Sequence, residues 1–246
     1  NPSFFGGLQG LWDEYHNKAN LNLVVSGSVN RLMNKIFFSY GEPLYGRNTG
    51  HLKITPFPVK VMKEIFADFK PDYTKEDLLA LWTFTGGVAR YVELLMTVGA
   101  FTRREMIRAI FGRLTAFLEE GKIVLMEEFG ADYSTYFSIL SSIAAGHTKF
   151  AEIANDLGVE VGTYLANLNE KYELISRVRP YLDRERSKNS VYRIEDCFFR
   201  FWFRFVFKYQ SMITLNRLEP LQELVDREFQ VFSGYALERY FQWKMA

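Results

Sequence analysis

Residues 197 to 210 read CFFRFWFRFVFKYQ, and no other stretch of the chain restricts its fold so tightly. Six phenylalanines and a tryptophan among fourteen residues leave almost no polar circumference, so the segment must be enclosed on most sides by other elements. Arg200, Arg204 and Lys208 recur every fourth residue, which places three charges on one stripe of a helix. The expectation is a helix whose rings pack against neighbouring helices while the charged stripe faces water. The rings are too dense to serve mainly as a platform for stacked bases. With 23 Phe and 14 Tyr in 246 residues, the chain has ample material for a large core.

The N-terminal third has a different pattern. Leu8, Leu11, Trp12 and Tyr15 share a helical face, NKAN ends it, and Leu21–Val25 reads as a short apolar strand. Ser26-Gly27-Ser28 stops that strand, and Val29, Leu32, Met33 and Ile36 restart a helix. HLKITPFP reads as a second short strand closed by prolines, and KVMKEIFADF as a helix. This order predicts part of a mostly parallel α/β sheet over residues 1–70. A helical lid is expected over 71–130: Thr74 caps a helix with Asp77 three positions on, Gly86-Gly87 interrupts it, and a long amphipathic segment begins at Phe101.

Over residues 131–196 three short helical patterns, broken at Gly146-His147-Thr148 and Gly158, precede two strand-like segments flanking RERSKNS. That is the element order of a winged helix-turn-helix. Residues 197–246 then form a linker and the start of a further helical domain, with two helical starts after Leu221. The chain opens without Met on a mid-helix pattern and stops mid-pattern at Met245-Ala246, which predicts a piece of a larger protein.

Several classes are excluded or disfavoured. Cys197 is the single cysteine, so no intrachain disulfide exists, and His16, His51 and His147 are too scattered to form a metal-ligand cluster. No apolar run approaches a membrane span, and a cytoplasmic protein is expected. A net charge of +1 leaves nucleic-acid binding to local charge alone.

Ser26 and Ser28 lie where a strand of an open α/β sheet would deliver a hydroxyl to a phosphate or an attacking water; equally, a strand-to-loop turn favours small residues. Arg47 in PLYGR and Arg90 in GGVARYV are candidate anion contacts, with a surface salt bridge and a solvent-facing position as the alternatives. Gly86-Gly87 is not a Walker A loop, since no Lys-Ser/Thr follows it.

Taken together, LNLVVSGSV, EPLYGRNTGHLKITPF, TGGVARYVELL and YRIEDCFFRFWFRFVF resemble the archaeal and bacterial ATPase family of the AAA-type P-loop superfamily that carries a C-terminal domain of unknown function. The resemblance spans nearly the whole chain and is most specific from Tyr192 to Val206. It implies ATP and Mg²⁺ as cofactors of the full-length protein, held by Walker A and B motifs that this sequence lacks. The fold implied is an α/β fragment of a P-loop ATPase core, then an all-α lid, a winged helix-turn-helix and a truncated C-terminal helical segment.

The resemblance matches Ser26 or Ser28 to a polar sensor, Arg90 to the lid arginine that senses the γ-phosphate, and Arg47 to a position of the LYGR segment. It also matches Glu238 to the glutamate of a G-x-x-x-E helix in the C-terminal domain. Without the P-loop, no hydrolysis and no nuclease activity are expected of this chain alone. A sheet deprived of its central strands would expose edges, so self-association is expected as well.

Two further partners are weighed. The third helix of the winged unit offers Asn167 and Asn169 but no arginine, and Glu160 and Glu170 oppose DNA. The hairpin carries Arg177, Arg179, Arg184, Arg186 and Lys188, for a local charge of about +4 between Lys171 and Arg193, suited to DNA phosphates. Docking within the protein or onto a protein partner is the alternative.

Overall fold

The computed structural model describes residues 2–27, 30–112, 115–179 and 189–245. They fall into an N-terminal unit, Asn1–Ile54, and a larger C-terminal unit, Thr55–Ala246.

The N-terminal unit is helical, with α1 (Pro2–Tyr15) and α2 (Asn30–Phe38). The expected strand at 21–25 is absent: the backbone carries no ladder, and Leu21, Leu23, Val24 and Val25 are exposed. Nor is there a strand over 51–58, where Leu52 and Ile54 stand open to solvent. An apolar run makes a strand only when a neighbour satisfies its N–H and C=O groups, and no described segment pairs with either run. The α/β assignment is therefore corrected: the described chain is predominantly helical and its sheet consists of two antiparallel strands.

The C-terminal unit begins with α3 (Val59–Phe69), α4 (Lys75–Thr85), α5 (Ala89–Thr97), α6 (Arg103–Gly112) and α7 (Thr115–Phe129). Thr74 starts α4 with a reciprocal cap: Asp77 N donates to Thr74 Oγ1 at 3.1 Å, and Thr74 N donates to Asp77 Oδ2 at 3.2 Å. The helix stops at Gly86, which takes the left-handed conformation at φ 60°. A short 3₁₀ turn at Gly130–Asp132 leads into α8 (Tyr133–Ala145), α9 (Phe150–Leu157), α10 (Gly162–Glu170), β1 (Ile175–Val178) and β2 (Val191–Ile194). β1 and β2 pair antiparallel with Ile175 opposite Ile194 and Val178 opposite Val191. The turn between α8 and α9 joins this pair edgewise, since Tyr192 N donates to Thr148 O at 2.7 Å and Lys149 bridges Val191.

The aromatic run forms α11 (Cys197–Phe201) and a π-helical segment, Trp202–Phe207, followed by α12 (Gln210–Thr214) and α13 (Leu218–Met245). Phe198, Phe201, Phe203 and Phe205 are fully enclosed. Phe198 stacks on Tyr91 with centroids 3.9 Å apart, Phe201 meets Phe84 at 4.9 Å, and Phe203 meets Phe137 at 5.5 Å. One run of rings thus fastens α4, α5 and α8 together, which is why its interior is so aromatic.

The charged stripe does not face water as a unit. From Trp202 the backbone winds wider, with Lys208 N donating to Phe203 O five residues back, so a period of four no longer describes it. The Arg200 guanidinium carbon lies 4.4 Å from the ring centroids of both Phe232 and Tyr235, and Arg204 Nη2 reaches Glu228 at 2.7 Å, so both arginines face α13. Only Lys208 of the three is exposed. α13 is itself one 28-residue helix rather than two starts, seated on α4 and α6 through Phe229 against Phe84 and an Arg103–Asp226 ion pair at 2.8 Å. No described helix is long and apolar enough to cross a membrane.

Candidate functional site

The glycine pair is where TGGVARYVELL meets YRIEDCFFRFWFRFVF. A Cβ on Gly86 would lie 3.1 Å from Phe198 N and 3.3 Å from Asp196 Oδ1, so only glycine lets the end of α4 approach the start of α11 this closely. Gly87, at φ 78°, abuts the backbone of Phe57, whose N–H donates to Gly87 O at 2.7 Å. Both glycine N–H groups are committed within the protein, Gly86 N to Trp82 O at 2.8 Å and Gly87 N to Thr85 Oγ1 at 3.2 Å. A loop with no N–H left to offer cannot cradle a phosphate. Asp196 caps α11 by accepting from Phe199 N at 2.9 Å, and enclosure of its carboxyl raises its pKa to about 6 against the pull of the Phe198 and Phe199 amides. Burial also lifts the Cys197 thiol to about 12, so this cysteine is a core atom rather than a nucleophile.

Of the residues matched to nucleotide chemistry, Arg47 and Arg90 are paired with carboxylates. Ser26 is exposed at the end of the extended segment, and Ser28 lies outside the described residues. Arg47 forms a bidentate pair with Asp13, Nε to Oδ1 at 2.7 Å and Nη2 to Oδ2 at 2.8 Å; this pairing holds the Asp13 carboxyl below its ordinary range. Arg90 Nε donates to Glu120 Oε2 of α7 at 3.0 Å. Ser26 and Arg47 belong to the N-terminal unit and Arg90 to the other.

The hairpin divides into a clamped base and an open end. At the base, Arg193 Nη1 pairs with Glu238 of α13 at 3.0 Å, Tyr235 Oη donates to Ile194 O at 3.1 Å, and Ile175 and Ile194 are buried. Glu238, matched in sequence to a C-terminal-domain motif, is thus a partner of the hairpin. At the open end Arg177 and Arg179 are exposed, while Arg184, Arg186 and Lys188 lie outside the described residues. On α10, Asn167 is spent internally, donating to Tyr136 Oη at 3.0 Å, so the exposed face is left with Thr163, Ala166 and Glu170. Glu160 is likewise occupied by Gly162 N at 2.8 Å.

A Ser-His-Asp cluster escaped sequence reasoning. Ser142 Oγ donates to Asp156 Oδ2 at 2.6 Å, and His147 Nδ1 lies 3.3 Å from Ser142 Oγ and 3.2 Å from Asp156 Oδ2. One ring nitrogen faces both partners and the serine proton points at the carboxylate, so the imidazole cannot relay a proton from serine to acid. The cluster fastens the α8–α9 turn, and the serine hydroxyl holds the Asp156 carboxyl below its ordinary range.

No protein-family model matches the sequence, and no solved structure matches it. The chain is similar to an uncharacterized protein of Methanocaldococcus jannaschii, 30% identical over 243 residues. That match takes in 97% of this chain and 53% of the archaeal protein, so the chain spans about half the length of the relative it matches.

Proposed function

We propose that this chain serves an ATP-hydrolysing cytoplasmic protein of the AAA type, as a helical lid carrying a winged helix-turn-helix. The carrying observation is that TGGVARYVELL and YRIEDCFFRFWFRFVF, two segments of the resemblance, form one joint: Gly86 against Asp196 and Phe198, and Tyr91 stacked on Phe198. In this reading the triphosphate and Mg²⁺ are held by a phosphate-binding loop outside these residues, and Arg90 exchanges its exposed pair with Glu120 for the nucleotide. Titration of a labelled, non-hydrolysable ATP analogue tests it. The full-length gene product should bind with Mg²⁺ and the 246-residue chain should not; failure of both to bind sinks the reading.

A second reading, DNA contact through the hairpin, is favoured by the exposure of Arg177 and Arg179 at the open end of a hairpin whose base is clamped to α13. Binding of a labelled duplex should weaken steeply with salt, and each of Arg177→Ala and Arg179→Ala should lower the slope of log K against log salt by about one. A duplex that stays free at low salt would leave the hairpin as a protein-docking element, with a protein partner or self-association as the alternatives.

A further inference from the structure

Between α8, β2, α11 with its π-helical continuation, and α13 lies an open cleft of about 500 Å³, within the size range of small-molecule sites. Arg193, Arg200, Arg204 and Arg227 line it, against two carboxylates, Glu228 and Glu238. Glu228 is taken by Arg204 and Glu238 by Arg193. Arg200 and Arg227 form no ion pair among the described residues, which leaves the cleft two positive charges in excess.

Arg200 is the informative member. Its guanidinium is held between the Phe232 and Tyr235 rings and donates from Nη1 to Phe232 O at 2.9 Å, so it is fixed in place and largely withdrawn from water. A charge in such a position ordinarily has a counter-charge. Burial disfavours its protonated form, Tyr235 and Cys197 work against that, and Arg204 and Arg193 add to it. Arg227 stands exposed at the same cleft. Ile143, Val231 and Phe232 supply apolar wall beside the arginines.

We propose that this cleft binds a phosphate ester with an apolar or aromatic body. Clustered arginine forks suit the several oxygens and double charge of a phosphate, and the cleft is far larger than the ion alone needs. The site contains none of Ser26, Arg47 or Arg90, so it stands independently of nucleotide turnover.

The test is calorimetric titration of the 246-residue chain at fixed ionic strength with phenyl phosphate, inorganic phosphate and benzoate. Phenyl phosphate should saturate and bind at least about tenfold more tightly than the other two. Arg227→Ala, whose side chain is exposed, should fold as the parent does and weaken phenyl phosphate by about tenfold, with Arg193→Gln as an independent second variant. Tighter inorganic phosphate would indicate a free-anion site, and equal benzoate binding would remove the preference for phosphate. Either result overturns the proposal, as does an absence of saturation or an affinity unchanged in both variants.

Discussion

Gly121 sits in the middle of α7 beneath Trp202, and its replacement by alanine sets two known effects against each other. Helical propensity alone favours alanine by about 0.8–1 kcal/mol. A Cβ at Gly121, however, would lie 2.9 Å from Cδ2, Cε2 and Nε1 of the Trp202 indole, which is 2% exposed and has nowhere to retreat. Such overpacking costs about 1–3 kcal/mol, and displacing the indole also threatens the Nε1 bond to Leu118 O at 2.9 Å, worth a further ~1 kcal/mol or more if left unmade. The net expectation is destabilisation by about 1–3 kcal/mol, or roughly 2–4 °C in Tm for each kcal/mol in a body of this size. Gly234 supplies the control: it lies in α13, is exposed, and has nothing within 4 Å of an added Cβ. Gly234→Ala should stabilise by about 0.5–1 kcal/mol. Urea unfolding followed by tryptophan fluorescence reads both. If the two substitutions shift stability in the same favourable direction, the packing of Trp202 onto α7 is wrong.

Two further outcomes follow from the joint around the glycine pair. Because the folded pKa of Asp196 is about 6, above the unfolded value of 3.8, the folded protein gains a proton there between those values, and this group favours folding increasingly as pH falls through 6 toward 4. Asp196→Asn keeps an N-cap acceptor, so its stability relative to the parent should be higher at pH 7 than at pH 4.5 by about 2 kcal/mol; a difference that ignores pH would refute the enclosure of that carboxyl. Gly87→Ala combines a left-handed backbone at φ 78° with a clash against the Phe57 carbonyl, whereas Gly130→Ala, at φ 64°, meets nothing within 4 Å. Thermal melts should show Gly130→Ala losing about 1 kcal/mol and Gly87→Ala clearly more; equal losses would mean the Phe57 contact is not made.

The local rules were legible because they concern residues close in sequence. Thr74 with Asp77, and the left-handed glycines at 86, 146 and 158, mark helix ends where the structure places them. The burial of the phenylalanine run was equally plain from its density. What could not be read depends on distant partners. Leu21–Val25 has the composition of a strand, yet strand formation is a property of a pair, and no described segment supplies the other half. The stripe of Arg200, Arg204 and Lys208 was assigned to water on the assumption of an α-helical period; the π-helical winding and the rings of Phe232 and Tyr235, more than thirty residues on, redirect the arginines. Arg47 found its carboxylate 34 positions back at Asp13, and the arginine cleft draws on β2, α11 and α13, so neither has a signature within any one window.

The most direct test of the central proposal is phosphate release from ATP by the full-length gene product, measured with and without Mg²⁺ and repeated with Arg90→Ala. The account predicts Mg²⁺-dependent turnover that the substitution lowers while the fold and duplex binding persist. Absence of turnover in a folded full-length protein would contradict it.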